Sequence, residues 1–209
     1  MMMTDTVCIR AYTAPPVDRR EILRYAGVRG EAEDVEQLLD SCLKELEGQL
    51  TWKVCYRTVS MGDTGIAHST VEALKASKTA SDRLESCDFA VLFAATVGLG
   101  IDRLITRYAV TSPAKALLFQ AIGAERIESL CDHFCAELAR ESEEQGFLLR
   151  PRFSPGYGDL PLTLQNDLFQ LLDCPRRIGL SLGKTMLMTP TKSVTAIMGL
   201  EKRKENEPV

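Results

Sequence analysis

Histidine is almost missing from this sequence. His68 and His133 are the only two in 209 residues. That leaves little room for Ser–His or Cys–His machinery, and no GxSxG elbow, Walker loop or HExxH helix occurs. Basic charge is not in excess either. Lys and Arg number 25 against 29 Asp and Glu, a net charge of −4, so the footprint of a nucleic-acid binder is absent. The basic triplet Lys202-Arg203-Lys204 sits among acidic residues and reads as solvated. No apolar run approaches the roughly 20 residues that span a bilayer. The longest, Phe89 to Leu99, is interrupted by Thr96 and Gly98. The opening MMMTDTVCIRAYTAPP lacks the continuous apolar core of a secretory signal. Seven cysteines, an odd count with no such signal, point to reduced thiols in a cytoplasmic protein. Together these gaps favour binding over self-contained acid–base chemistry.

The hydrophobic patterning mixes helices and strands. Pro15-Pro16 and Asp18 open a short helix that Gly27 stops. Residues 31–50 carry Val35, Leu38, Leu39, Cys42, Leu43, Leu46 and Leu50 at helical spacing, with Glu31, Glu33 and Asp34 at the favourable N-terminal end. Residues 51–61, TWKVCYRTVSM, are β-branched and aromatic and predict a strand. Residues 77–86 predict a short helix. Phe89 to Ala95 is continuously apolar, as a strand covered on both faces would be. A turn and a helix from Ile101 follow. Ser112-Pro113 predicts the cap and first turn of a long helix to about Glu144, burying Leu117, Leu118, Ile122, Ile127, Leu130 and Phe134. A helix over 163–172 and strands over 178–182 and 193–200 complete the pattern. Helices and strands do not alternate regularly, which predicts an α+β fold. The expected layout is a single domain over 1–200 and a charged, disordered tail over 201–209.

Four constellations invite a chemical reading. Arg152-Phe153-Ser154-Pro155-Gly156-Tyr157-Gly158 is a loop whose glycines let backbone groups approach a ligand. Its Arg152 fork suits a carboxylate, and Tyr157 offers a flat face with a polar tip. The plain alternative is a connecting loop with a surface arginine. Thr96-Val97-Gly98-Leu99-Gly100 follows an apolar strand as phosphate-binding turns do, but it lacks the third glycine and the distant acidic residue of a dinucleotide site. It reads as a tight strand-to-helix turn. Cys131-Asp132-His133-Phe134-Cys135 has no second ligand pair to complete a zinc site, so its thiols read as packing groups. Glu125 and Glu128, three apart on the long helix, share a face. That face is solvated or, if it packs near Arg152, receives a ligand ammonium or sulfonium.

Residues 152–200 resemble the C-terminal reactivation domain of cobalamin-dependent methionine synthase. The match rests on five elements in order: Arg152 with Pro155-Gly156-Tyr157, the helix Leu164 to Leu172, Ile178-Gly179, Met188-Thr189-Pro190 and Ser193-Val194. The long helix before them also looks similar, residues 1–110 much less so. The compact form is similar to short stand-alone relatives of that domain.

The resemblance implies a twisted antiparallel sheet flanked by helices, and S-adenosylmethionine as ligand. Arg152 would hold the methionine carboxylate. Backbone groups of Ser154 and Gly156 would contact the adenine, and Tyr157 would line the pocket. Glu128, or else Glu125 three residues before it, would supply the helix carboxylate. Lys192 stands where long synthases carry a small residue, and with Ser193 it would add groups near the carboxylate site. The family's later ligand-contacting tyrosine has no counterpart here. The implied role is to present the methyl donor while an external reductant such as flavodoxin or ferredoxin reduces an oxidised cobalamin. That cobalamin is carried by a methionine synthase or other corrinoid protein, with no nucleic acid or membrane involved, and the cofactor carries the chemistry. Two other readings remain open: an interaction protein for another corrinoid methyltransferase, and a direct S-adenosylmethionine-dependent methyltransferase.

Overall fold

The computed structural model describes residues 6–30 and 33–203. Five strands form one antiparallel sheet. In chain order they are β1 (Cys8–Ala11), β2 (Lys53–Ser60), β3 (Phe89–Thr96), β4 (Phe147–Leu149) and, last in sequence, a strand over Ser193–Lys202; their spatial order places that last strand between β3 and β4. A two-stranded hairpin, β5 (Ser181–Leu182) with β6 (Met188–Thr189), stands apart, so the last strand is β7. Helices cover both faces of the sheet: α1 (Arg19–Tyr25), α2 (Glu33–Leu46), α3 (His68–Ala76), α4 (Lys78–Arg83), α5 (Gly100–Thr111), α6 (Pro113–Glu144), α7 (Gln165–Leu172) and α8 (Cys174–Ile178). This is the expected α+β architecture with an antiparallel sheet flanked by helices.

Side-chain alternation along β3 explains why the sheet is covered twice. Ala90, Leu92 and Ala94 point to one core with Val71, Leu74, Leu168 and Leu172. Val91, Phe93 and Ala95 point to the other, with Ile127, Leu130, Phe134 and Leu138 of α6. Period-two alternation sends successive residues to opposite faces, so a run apolar at every position is what two covered faces require. A third cluster joins α1, α2 and α5 to the start of α6 through Ile22, Leu39, Leu104, Phe119 and Ile122.

Several boundaries differ from the sequence expectation. The second helix stops at Leu46, before Gly48 takes φ +72, rather than running to residue 50; its predicted first residues, 31 and 32, lie outside the described residues. Ser112 makes no side-chain cap bond, although Pro113 does open α6. Leu117 is 53% exposed instead of buried. Ile178 closes α8, which begins beside Pro175, so the strand expected over 178–182 shrinks to Ser181–Leu182. β7 runs to Lys202, pairing Phe147 with Lys202, so Glu201 and Lys202 belong to the sheet and not to a tail. The remaining tail positions, 204–209, lie outside the described residues.

Candidate functional site

The Arg152 loop follows β4 and is bridged to β7. Phe153 exchanges two backbone hydrogen bonds with Ile197, at 3.0 and 2.8 Å, and its ring is buried in the core beneath. The chain then doubles back: Tyr157 N donates to Ser154 O at 3.2 Å and Gly156 N to Leu160 O at 2.9 Å. Gly158 has φ +59, and a Cβ there would lie 2.2 Å from Thr79 Oγ1. Only glycine satisfies both that backbone and that approach. Asp159 locks the turn onto the start of α4, accepting from Ser77 Oγ at 2.7 Å, Lys78 N at 2.7 Å and Thr79 N at 3.0 Å. These bonds favour the charged carboxylate and hold Asp159 well below the usual carboxylate range, the Ser77 hydroxyl contributing most.

Beside this turn lies a cavity of about 300 Å³, lined by Arg83, Glu128, Arg152, Phe153, Ser154 and Tyr157. Arg152 spans the gap to α6. Its Nη2 donates to Glu128 at 2.6 Å, and its Nη1 donates to Asp132 at 2.5 Å and approaches Cys135 Sγ at 3.8 Å. Burial works against the charge on Arg152. The hydrogen bonds, led by that of Asp132, outweigh it and hold the guanidinium firmly protonated. Tyr157 is 67% exposed at the cavity mouth. Arg83, at the end of α4, places its guanidinium 5.7 Å from the Phe153 ring centroid. Two arginines, one glutamate and two hydroxyl-bearing residues therefore line one small space. Such a set can grip a zwitterion, with carboxylate on guanidinium and ammonium on Glu128.

Of the residues singled out from the sequence, Arg152, Ser154, Tyr157 and Glu128 meet at this cavity. Gly156 belongs to the same turn, with its N–H already engaged by Leu160. Glu125 is elsewhere: it pairs with Arg126, both 3% exposed, and accepts from Asp18 N at 3.0 Å and Ser129 Oγ at 2.8 Å. Arg126 in turn donates to Pro15 O and Pro16 O at 2.7 Å. The pair fastens the segment before α1 to α6. Lys192 and Ser193 do not line the cavity. The Lys192 stem crosses Gly123 of α6 so closely that a Cβ there would lie 2.8 Å from its Cγ. Ser193 Oγ lies 2.8 Å from Thr96 Oγ1 and from Pro190 O, at the end of β3. Arg83 was not singled out, and Asp132 was named only within the Cys131–Cys135 run that was weighed as a metal site; tertiary packing brings both to Arg152.

The other constellations take packing roles. A Cβ on Gly100 would lie 2.3 Å from Gln49 O, so the Thr96–Gly100 turn needs its glycines for close chain approach. Cys131 is fully buried and burial drives its thiol pKa up; Cys42 is pushed up to about 11 for the same reason. Thiols so shifted are poor nucleophiles. Among the described residues no group of three or more His, Cys, Asp or Glu is placed to hold a metal, and no helix is long and apolar enough to cross a membrane.

The family model for the vitamin B12 dependent methionine synthase activation domain matches residues 75–205. The chain belongs to that family. The matched segment contains the whole cavity, from Arg83 through Glu128 to the Arg152 loop. Among solved structures, a crystal structure of the MetH reactivation domain bound to AdoHcy is similar at 15% identity and a TM-score of 0.63, over 98% of this chain and 80% of that one. It shows a shared fold, and the likeness extends past the family match into the described residues before 75. No curated protein matches the sequence.

Proposed function

We propose that this chain binds S-adenosylmethionine at the Arg152 cavity and presents it for the reductive methylation of a cobalamin held by a methionine synthase partner. The observation that carries this is the convergence of Arg152, Glu128, Ser154 and Tyr157 on one cavity within the family-matched segment. The bound nucleoside named for the similar MetH domain is chemically related to this ligand. Arg152 would take the methionine carboxylate through its fork, and Glu128 would turn from Arg152 to the ammonium. The Ser154–Gly156 turn would flank the adenine. Tyr157, 67% exposed, would stand on the side from which a second protein reaches the ligand. Once a reductant, flavodoxin or ferredoxin by class, has delivered an electron, the cobalamin would accept the methyl group from the sulfonium, whose S–CH3 bond breaks to leave S-adenosylhomocysteine. This chain's residues supply binding and orientation only.

Calorimetric titration with S-adenosylmethionine tests the reading, with Arg152→Ala alongside. Loss of a charge-assisted carboxylate contact should cost about 1.5–3 kcal/mol, roughly ten- to a hundredfold in affinity. A wild-type protein that takes no S-adenosylmethionine, alone or with a cobalamin-bearing synthase, would remove the proposal.

A further inference from the structure

The Arg152 guanidinium is approached by two carboxylates one helical turn apart on α6, and they are not equivalent. Glu128 lines the cavity; Asp132 does not. Asp132 is 70% exposed and reaches Nη1 at 2.5 Å from outside, where Cys135 Sγ also lies at 3.8 Å. Glu128 meets Nη2 at 2.6 Å from within. A guanidinium is planar, with donors fixed relative to one another. Holding Nη1 therefore sets the direction of Nη2 and Nε as well.

We infer that Asp132 is a positioning residue, which clamps Nη1 of Arg152 so that the remaining donors of the fork face a carboxylate-bearing ligand in the cavity. This rests on the reading of the cavity as an S-adenosylmethionine site. It goes beyond that reading in assigning the recognition of the amino-acid end to a pair, Arg152 with Asp132, rather than to arginine alone. An unclamped arginine has several rotamers, and ordering them on binding weakens affinity. Asp132 removes that freedom beforehand. Specificity follows: the clamp should matter for ligands that carry the carboxylate and not for those that lack it.

The test compares S-adenosylmethionine with 5′-methylthioadenosine, which has the nucleoside and sulfur but no amino-acid end. Both are titrated into wild type, Asp132→Ala, Asp132→Glu, Arg152→Ala and the double variant. Asp132→Ala should weaken S-adenosylmethionine roughly tenfold and leave 5′-methylthioadenosine unchanged. Asp132→Glu, which keeps the charge, should recover most of the loss. In the Arg152→Ala background Asp132→Ala should do nothing further, because a clamp without its arginine has no object. Unchanged or tighter S-adenosylmethionine binding by Asp132→Ala overturns the clamp and leaves the proposed function standing. So does an equal loss for both ligands, or a loss that persists without Arg152. A wild type that binds no S-adenosylmethionine overturns both.

Discussion

Asp159 and Ser77 are joined across the chain by a hydrogen bond of 2.7 Å, and through it the Arg152 loop is tied to the first turn of α4. Asp159 also accepts the backbone N–H groups of Lys78 and Thr79, so one carboxylate serves the free donors of a helix start. The loop that carries Ser154 and Tyr157 is thus anchored by a residue that does not itself line the cavity.

That tie should be visible as a pH effect. The folded-state pKa of Asp159 is lowered from 3.8. A depressed carboxylate pKa contributes stability that is fully present above the unfolded value and is lost as pH falls through the folded one. Asp159→Ala should therefore melt below wild type at pH 7. The two melting curves should approach each other as the pH drops below about 4, as read by circular dichroism. A gap that stays constant down to pH 2 would mean that the charge of Asp159 contributes nothing. S-adenosylmethionine affinity should fall in the same variant at pH 7, since the loop loses its anchor.

Glu125 supplies a second test, because its sequence position beside Glu128 suggested a ligand contact and its surroundings suggest a structural one. It is buried against Arg126, with further bonds to Asp18 N and Ser129 Oγ. Removing one partner of a buried pair leaves an uncompensated charge, at a cost of about 3–5 kcal/mol. Glu125→Ala should lose that much in urea unfolding, and amide exchange should quicken at Val17 and Asp18. A stable Glu125→Ala protein with weakened ligand binding would return Glu125 to the site.

How much of this was legible in the sequence depended on whether each signal was local. Phe89–Thr96 could be read directly, because a strand covered twice is apolar at every position. The four residues of β1 and the three of β4 carry no such signal; each is an edge strand with some exposed positions. α3 was missed because it has no side-chain cap and follows the glycine-rich stretch Gly62–Gly65. Ile178 read as strand through its apolar neighbours, but Asp173 at φ +50 ends α7 and starts a separate helical turn that claims it. At the site the same division holds. Arg152, Ser154 and Tyr157 lie in one contiguous loop with a glycine and proline signature, which is why they could be singled out together, and they line one cavity. Arg83 and Asp132 come from two different helices, and only the packing of α4 and α6 around the loop makes them neighbours of Arg152.

Lys192 separates the two kinds of information most cleanly. Next to Ser193 in sequence, it was expected to add positive charge at the carboxylate site; the structure instead lays its stem across Gly123 of α6. Burial there lowers the pKa of its ammonium from 10.5, opposed only in part by Asp102. A lysine with a depressed folded pKa is penalised while both states are protonated, and the penalty lifts as pH rises through the folded value toward the unfolded one. Lys192→Met keeps the packed stem and removes the charge. It should therefore unfold at higher urea than wild type at pH 7, with the advantage narrowing toward pH 10, and bind S-adenosylmethionine with unchanged affinity. A tenfold loss of affinity in Lys192→Met would place its ammonium in the ligand's field after all, and would require the cavity to extend from the Arg152 loop to the end of β3.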